Sequence, residues 1–164
     1  MVPSVSETDK AYAAGLVDGE GSVGVCWRLQ SKRSKNMTFG VNVRVAMIDP
    51  DSIMWLRDHF GGCVDNTNRT RGGNVIFRWT LHCRKAADFL ESILPYLKLK
   101  KSRSEAAIKL ARMSRKRGAT KGDNGMAAMT KEETEMQRPL AEFIRSENQR
   151  SNPKIANYAK WGIQ

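Results

Sequence analysis

Residues 11–21, AYAAGLVDGEG, give the clearest indication of how this chain folds. This stretch follows Ser6, Glu7 and Asp9, residue types that favour the N-cap and the first turn of a helix. The glycines at its end favour helix termination. The sequence therefore predicts a helix from about Glu7 to Gly19.

Small residues form a stripe along this helix. Ala11, Gly15 and Gly19 are four positions apart, so they lie on one side of a helix with about 3.6 residues per turn. A stripe without side chains lets another backbone approach closely, a device best known from helix pairs in membranes. We expect a second helix to pack here, although the sequence contains no second copy of the helix–glycine–acid pattern.

Beyond this helix the hydrophobic residues change to a period of two, which is typical of half-buried strands. Two strands are predicted at residues 22–29 and 38–47, joined by the cationic segment SKRSKN. Two more are predicted at 63–69 and around 76–81, on either side of the turn RTRGGN. The four strands would form an antiparallel sheet with one apolar face and one polar or cationic face.

Helices separate and follow these strand pairs. The sequence predicts them at 51–60, at 84–96 and at 102–116, and one or two more polar helices around 132–148. The helix at 102–116 is strongly basic. The element order is α-β-β-α-β-β-α followed by C-terminal helices, which indicates an α+β fold.

Composition limits the function. The 164 residues include 28 Lys or Arg against 17 Asp or Glu, a net charge of +11, and 40% are hydrophobic. We expect one folded domain over 1–164, with a core at about 7–116 and a C-terminal helical extension at about 120–164. A folded domain of this charge favours a polyanion, above all nucleic acid, as its partner. Neither a membrane span nor a signal peptide is recognisable, so we expect an intracellular protein, cytoplasmic in a prokaryote or organellar in a eukaryote.

The cysteines and histidines do not indicate a disulfide framework or a metal site. Cys26, Cys63 and Cys83 are scattered without a CxxC pair, which argues against disulfides or zinc and for buried or half-buried thiols. His59 and His82 are too few for a histidine-based metal nuclease. Any catalysis must therefore come from carboxylates, amines and backbone groups.

Residues 13–21, AAGLVDGEG, resemble the signature LAGLIDADG of the LAGLIDADG homing endonucleases. Residues 95–101, PYLKLKK, resemble the PYLxxKK segment of the family's single-motif members. The resemblance covers about residues 7–115 and implies the family's fold, in which the four-stranded sheet is saddle-shaped. It also implies a sequence-specific double-stranded DNA endonuclease, encoded within an intron or intein, that hydrolyses phosphodiester bonds.

The end of the motif carries the predicted chemistry. A carboxylate just past a helix end, beside glycine, can present its oxygens to a hard cation such as Mg²⁺. The resemblance implies that Glu20 binds this metal with the carbonyl of Gly19, and that Lys100 is the basic residue of the active site. Mn²⁺ is an alternative metal, and Ca²⁺ an inert substitute.

Met47 departs from the family's pattern. Many relatives carry a glutamine there that orders water near the metal, and a thioether is a poor hydrogen-bond partner. Three alternatives stay open: Arg44 or Asp49 orders this water, cleavage is slow, or the chain no longer cuts. In the last case it would be a binding protein, either an RNA maturase or a DNA-binding regulator.

One chain supplies one acid, so two chains must combine to place two metal ions at one scissile region. We expect a homodimer with two-fold symmetry and a roughly palindromic DNA target. Its interface would contain Ala11, Gly15 and Gly19. Asp18 is expected to cap the partner's helix across this interface.

The polar face of the sheet is expected to read DNA bases in the major groove. Arginine can pair with guanine, asparagine or glutamine with adenine, and aspartate with cytosine. Residues 98–121 contain ten Lys or Arg and one acid, a net charge of +9, and are expected to contact phosphates. The predicted DNA-binding residues are Arg28, Gln30, Lys32, Arg33, Thr38, Asn42, Arg44, Asp65, Thr67, Arg69, Arg71, Arg78, Thr80, Lys98, Lys101, Arg115, Lys116 and Arg117.

Overall fold

The computed structural model describes residues 5–29, 37–69, 73–113 and 130–150. Over these ranges the helices and strands follow the order that the sequence predicts. The elements are α1 (Glu7–Glu20), β1 (Gly21–Leu29), β2 (Met37–Met47), α2 (Pro50–Phe60), β3 (Cys63–Arg69), β4 (Val75–His82), α3 (Cys83–Ile93), a 3₁₀ turn (Leu94–Tyr96), α4 (Lys101–Met113) and α5 (Lys131–Arg150).

Local interactions explain where α1 begins and where it ends. The Ser6 hydroxyl accepts a hydrogen bond from the Asp9 N–H, and the Asp9 carboxylate accepts one from the Ser6 N–H. At the other end the Gly21 N–H donates to the carbonyl of Val17. A Cβ at Gly21 would lie 2.6 Å from the Cα and the carbonyl oxygen of Val17, so only glycine fits where α1 passes directly into β1.

The four strands form one sheet in the order β1-β2-β4-β3, and every neighbouring pair is antiparallel. Gly21 pairs with Val45, and Val45 pairs in turn with Trp79 of β4. A register shift between Asp65 and Asn68 interrupts the pairing of β3 with β4. The predicted α+β order and antiparallel four-stranded sheet are confirmed.

Alternate residues of the strands face one hydrophobic core, and the helices complete it. Val23, Val43, Val45 and Trp79 are fully buried there. Every α-helix in the described part of the chain adds buried residues to this same cluster. Ala141 and Ile144 are the contribution of α5, so the C-terminal helix packs into the core that the rest of the chain forms.

The end of α3 differs from the sequence prediction by three residues. The α3 helix ends at Ile93 rather than at Tyr96, because Pro95 has no N–H for a helical hydrogen bond and the chain makes a 3₁₀ turn there. The α5 helix continues through Pro139 as one helix of 20 residues. The predicted loop at 118–125 lies outside the described residues.

The thiols are more accessible than predicted. Cys26 is half-buried, as expected, but Cys63 and Cys83 are exposed. Both exposed cysteines begin an element, β3 and α3 respectively, where the chain leaves the core. No helix in the described ranges is long and apolar enough to cross a membrane.

Candidate active site and nucleic-acid interface

Glu20 is the last residue of α1, and its side chain is exposed. Gly19 beside it is also exposed, and a Cβ built there would have nothing within 4 Å. The close approach of Gly21 to Val17 fixes the backbone immediately after the acid. Glu20 is therefore a carboxylate held at a defined point on the surface of the chain.

Asp18 anchors the chain that leads into α4. Its carboxylate accepts hydrogen bonds from the backbone N–H groups of Lys98 (2.7 Å), Leu99 (3.2 Å) and Lys100 (3.0 Å). Any cap that Asp18 provides to a partner's helix would come in addition to these three bonds within its own chain, so that expectation stays a prediction. These N–H groups precede α4 and would otherwise lack helical partners.

The Asp18→Ala substitution is expected to lower the free energy of unfolding by about 1–3 kcal/mol, because three N–H groups lose a charged acceptor. Urea denaturation of the two proteins measures this difference. Asp58→Ala is the matched control, since the exposed Asp58 pairs with Arg57 at the surface and its loss is expected to cost under about 1 kcal/mol. Equal losses for the two variants would contradict this role of Asp18.

The Lys100 side chain caps the C-terminal end of α1. Its ammonium donates to the carbonyl oxygens of Val17 (2.9 Å) and Asp18 (2.5 Å), in the last turn of α1. Burial lowers the pKa of Lys100, while the nearby carboxylates of Asp18 and Glu20 act in the opposite direction. The fold thus places the predicted basic residue and the predicted metal ligand at the same end of α1.

The oxygen donors at this point fit a divalent cation only in part. The Glu20 carboxylate and backbone carbonyls are hard donors of the kind that Mg²⁺ prefers. Lys100 already occupies the carbonyls of Val17 and Asp18. Within the described residues, no group of three or more His, Cys, Asp or Glu side chains is arranged to hold a metal ion. The donor chemistry is suitable, but the described part of the chain brings no cluster of carboxylates to this point.

Met47 lies at the end of β2, opposite Phe77 of β4. Its half-buried side chain packs against the hydrophobic core, which is where alternation along β2 directs it. Arg44 belongs to the opposite face of the strand. Asp49 accepts hydrogen bonds from the N–H groups of Asp51 and Ser52, so its carboxylate is committed to capping α2.

The small-residue stripe of α1 is open to solvent. Ala11, Gly15 and Gly19 are exposed, and a Cβ built at either glycine would have nothing within 4 Å. Tyr12 beside the stripe is 48% exposed and packs edge-on against Trp55 of α2. The opposite side of α1, with Ala13, Ala14 and Val17, is fully buried. One side of the helix thus belongs to the core, and the other is free to meet a partner.

Comparison with known proteins identifies this arrangement. Neither a protein-family model nor a curated protein sequence matches the chain. Solved structures do match it. The homing endonuclease I-CvuI in complex with its target has a TM-score of 0.64 at 16% identity, covering 85% of this chain and 82% of that one. The archaeal intron-encoded homing endonuclease I-Vdi141I, complexed with DNA, has a TM-score of 0.66 at 14% identity, covering 86% and 84%.

The homing endonuclease I-TnaI has a TM-score of 0.55 at 16% identity, covering 87% of this chain and 97% of that one. A further match, to I-GzeII in complex with a DNA target, is described as a LAGLIDADG homing endonuclease. This chain has the LAGLIDADG homing-endonuclease fold. The fold resemblance inferred from residues 13–21 and 95–101 is confirmed by structures whose sequences share only 14–16% identity with it.

The polar face of the sheet in this LAGLIDADG fold is not uniformly open. Asn42 is only 4% exposed, because it lies over the side-chain-free Gly24 and donates a hydrogen bond to the Cys26 sulfur at 2.8 Å. Thr80 is 7% exposed. Arg44 pairs directly with Thr80, and its half-buried side chain makes no hydrogen bond or ion pair within the described part of the chain. Of these three side chains, Arg44 is the one most available to a ligand.

Asp65 and Arg78 form a cross-strand ion pair on this face, with a shortest distance of 2.9 Å between Arg78 Nη2 and Asp65 Oδ1. Thr38 is half-buried on β2. DNA contacts are also predicted for Arg28, Thr67 and Arg69, but the structure does not describe these three side chains. Four predicted residues lie outside the described residues altogether: Gln30, Lys32, Arg33 and Arg71.

In the LAGLIDADG fold, several of the cations at 98–121 are bonded to other parts of the chain. Lys100 caps α1, and Arg112 bonds to Asp88 and Glu91 of α3. Arg103 is only 4% exposed. These three cations of the run therefore bond within the chain, and the expectation that the run contacts phosphates stays a prediction for the others. Lys98 and Lys101 are exposed, whereas Arg115, Lys116 and Arg117 lie outside the described residues.

The sequence reasoning missed the contribution of α5 to the β1 edge of the sheet. Arg145 lies 5.4 Å from the ring centroid of Trp27, and Asn148 donates to the carbonyl of Val23 on β1. The alternation of β1 predicts Trp27 on the core side, but nothing local links β1 to a helix more than a hundred residues later. These contacts are tertiary and carry no short-range signal.

Proposed function

We propose that this chain is a sequence-specific, double-stranded DNA endonuclease that acts as a homodimer with a divalent metal ion. Its fold is that of homing endonucleases whose structures contain DNA, and one of these, I-CvuI, was solved with Ca²⁺ and with Mg²⁺. The net charge of +11 favours a polyanionic substrate. We infer that it acts inside the cell, where such DNA is found, and that it is encoded within an intron or intein.

The position of Glu20 carries this proposal. The exposed carboxylate stands at the end of the exposed stripe formed by Ala11, Gly15 and Gly19. A second chain that packs its own α1 against this stripe brings a second Glu20 to the same place. The dimer then supplies the second carboxylate that one chain lacks, and its two-fold symmetry favours a long pseudo-palindromic site.

The residues at the end of α1 have distinct proposed roles. Glu20 would hold the cation, with the Gly19 carbonyl as a further oxygen donor. When bound, Mg²⁺ or Mn²⁺ would polarise a phosphoryl oxygen and activate water, whereas Ca²⁺ would be an inert substitute. Lys100, anchored on the α1 carbonyls, places a positive charge beside the reacting phosphate, where negative charge develops in the transition state. The accessible Arg44 would read one base of each half-site.

A second candidate is a binding protein of the same fold that does not cut, acting on DNA as a regulator or on RNA as a maturase. The packing of Met47 favours it. The thioether lies on the core side of β2, and Asp49 is committed to α2, so neither orders water near Glu20. This candidate keeps the sheet surface and loses the metal chemistry.

Incubation of the purified protein with a library of DNA duplexes separates the two candidates. With Mg²⁺ we expect double-strand cuts at one enriched sequence, and with EDTA we expect binding to that sequence without cuts. Sequencing of the cleaved ends and of the bound fraction measures both. Sequence-selective binding without cleavage in Mg²⁺ and in Mn²⁺ would refute the endonuclease and support the binding protein.

A further inference from the structure

The last turn of α5 is fixed to the edge strand of the sheet. The buried Arg103 of α4 donates to the Asn148 side-chain oxygen (2.6 Å) and to the carbonyl of Glu147 (2.8 Å). The Asn148 amide in turn donates to the carbonyl of Val23 on β1 (2.9 Å). A buried arginine thus joins α4, α5 and β1 at one point, and the end of α5 has a defined position beside the sheet.

Arg145, one turn before this anchor, is held by an aromatic ring. Its guanidinium lies 5.4 Å from the centroid of Trp27 on β1. Trp27 is itself fixed by an edge-on contact with Phe39 on β2, at 5.4 Å between ring centroids. Arg145 is exposed, so this contact restricts the side chain without removing its N–H groups from solvent.

A groove of about 280 Å³ runs between β1, β2 and the end of α5. Arg44 and Arg145 both line it, and no acidic residue is among the described residues of its lining. Its other polar groups are neutral hydrogen-bonding side chains. The other described residues of the lining are Ser22, Gly24, Val25, Cys26, Asn42 and Asn148.

The groove begins next to the candidate active site. Ser22, at its start, stands two residues after Glu20 and pairs with Arg44 on β2. A ligand in the groove would therefore be continuous with a ligand at Glu20. A groove whose described lining has two guanidinium groups and no carboxylate suits an anion with several oxygens, which arginine binds through paired N–H groups.

We propose that this groove binds a backbone phosphate of the DNA strand that passes the candidate active site, with Arg145 as its main contact. Arg44 faces the same groove and reads the neighbouring base. Trp27 is a positioning residue that holds Arg145 in place. This inference rests on the proposed function, since it assumes DNA at Glu20, and it assigns part of the DNA-binding surface to the C-terminal helix.

Titration of DNA binding against salt tests the proposal, in EDTA so that cleavage plays no part. The Arg145→Ala variant is expected to bind all duplexes at least about tenfold more weakly at moderate salt. Its plot of log affinity against log salt should lose about one unit of slope per chain, hence about two for a dimer. Arg138→Ala is the matched control, because Arg138 lies on the same helix but pairs with Glu135. It should match the wild type.

Two further variants separate the roles. Arg44→Ala should relax the preference at one base pair of each half-site, which Arg145→Ala should leave unchanged. Trp27→Phe keeps an aromatic face beneath Arg145 and should retain the wild-type salt slope. An Arg145→Ala variant with wild-type affinity and slope would overturn this inference and leave the proposed function intact. A wild type that binds no duplex would overturn both.

Discussion

The Glu20→Gln variant is expected to bind its DNA target and to leave it uncut. Glutamine keeps the shape of the side chain but removes the negative charge that a divalent cation requires. A metal ion supplies several kcal/mol of transition-state stabilisation, so cleavage should fall by at least about a thousandfold. Because the Glu20 side chain is exposed and makes no hydrogen bond or ion pair with the described residues, the fold should not change. Binding should be equal or slightly tighter, since one negative charge beside the phosphates is lost.

Single-turnover cleavage in Mg²⁺ and binding in EDTA measure the two halves of this prediction separately. Glu105→Gln serves as the control, because it makes the same chemical change at an exposed position on α4. It should cut and bind as the wild type does. Loss of DNA binding by Glu20→Gln would show that Glu20 has a structural role. Undiminished cleavage would remove it from the metal site.

The fold was readable from the sequence because its signals are local. The capping residues Ser6 and Asp9 mark the start of α1, and the close contact of Gly21 with Val17 explains the glycine at its end. Alternation along β1 and β2 separated the residues facing the core from the polar ones, since a strand has a period of two. The boundary errors, such as the end of α3 near Pro95, concern a single turn.

The candidate site was readable only in part, because a charged side chain does not reveal its partner. Asp18 and Glu20 are two residues apart on α1, yet one binds three backbone N–H groups and the other is exposed. Arg103 and Arg112 look alike in a basic run, but each bonds to a different helix. The sequence predicts how much charge a segment carries. Tertiary structure determines which of those charges remain available for a ligand.

The position of Met47 bears on whether the protein is an endonuclease or a binding protein that does not cut. Substitution of a water-ordering side chain by a thioether removes one polar group, but it leaves Glu20 and Lys100 in place at the end of α1. Catalysis then depends on whether one carboxylate per chain is sufficient, which in turn depends on the second chain. The oligomeric state is therefore the decisive property of this protein.

The Gly15→Leu variant is expected to be a folded monomer that neither cuts DNA nor binds it tightly. A Cβ at Gly15 would have nothing within 4 Å in the single chain, so the leucine side chain has room in the monomer. Leucine also favours a helix over glycine by up to about 1 kcal/mol, so the monomer should not lose stability. The same side chain would separate two α1 helices that pack stripe to stripe.

Sedimentation velocity of the wild type and the variant, at matched concentrations, measures the loss of the dimer, and circular dichroism confirms that both are folded. Glu105→Leu places the same side chain on the exposed face of α4 and should remain a dimer. Cleavage should disappear with the dimer, because each Glu20 then acts alone. A Gly15→Leu protein that still sediments as a dimer would refute the proposed interface, and one that cuts as a monomer would refute the need for a second carboxylate.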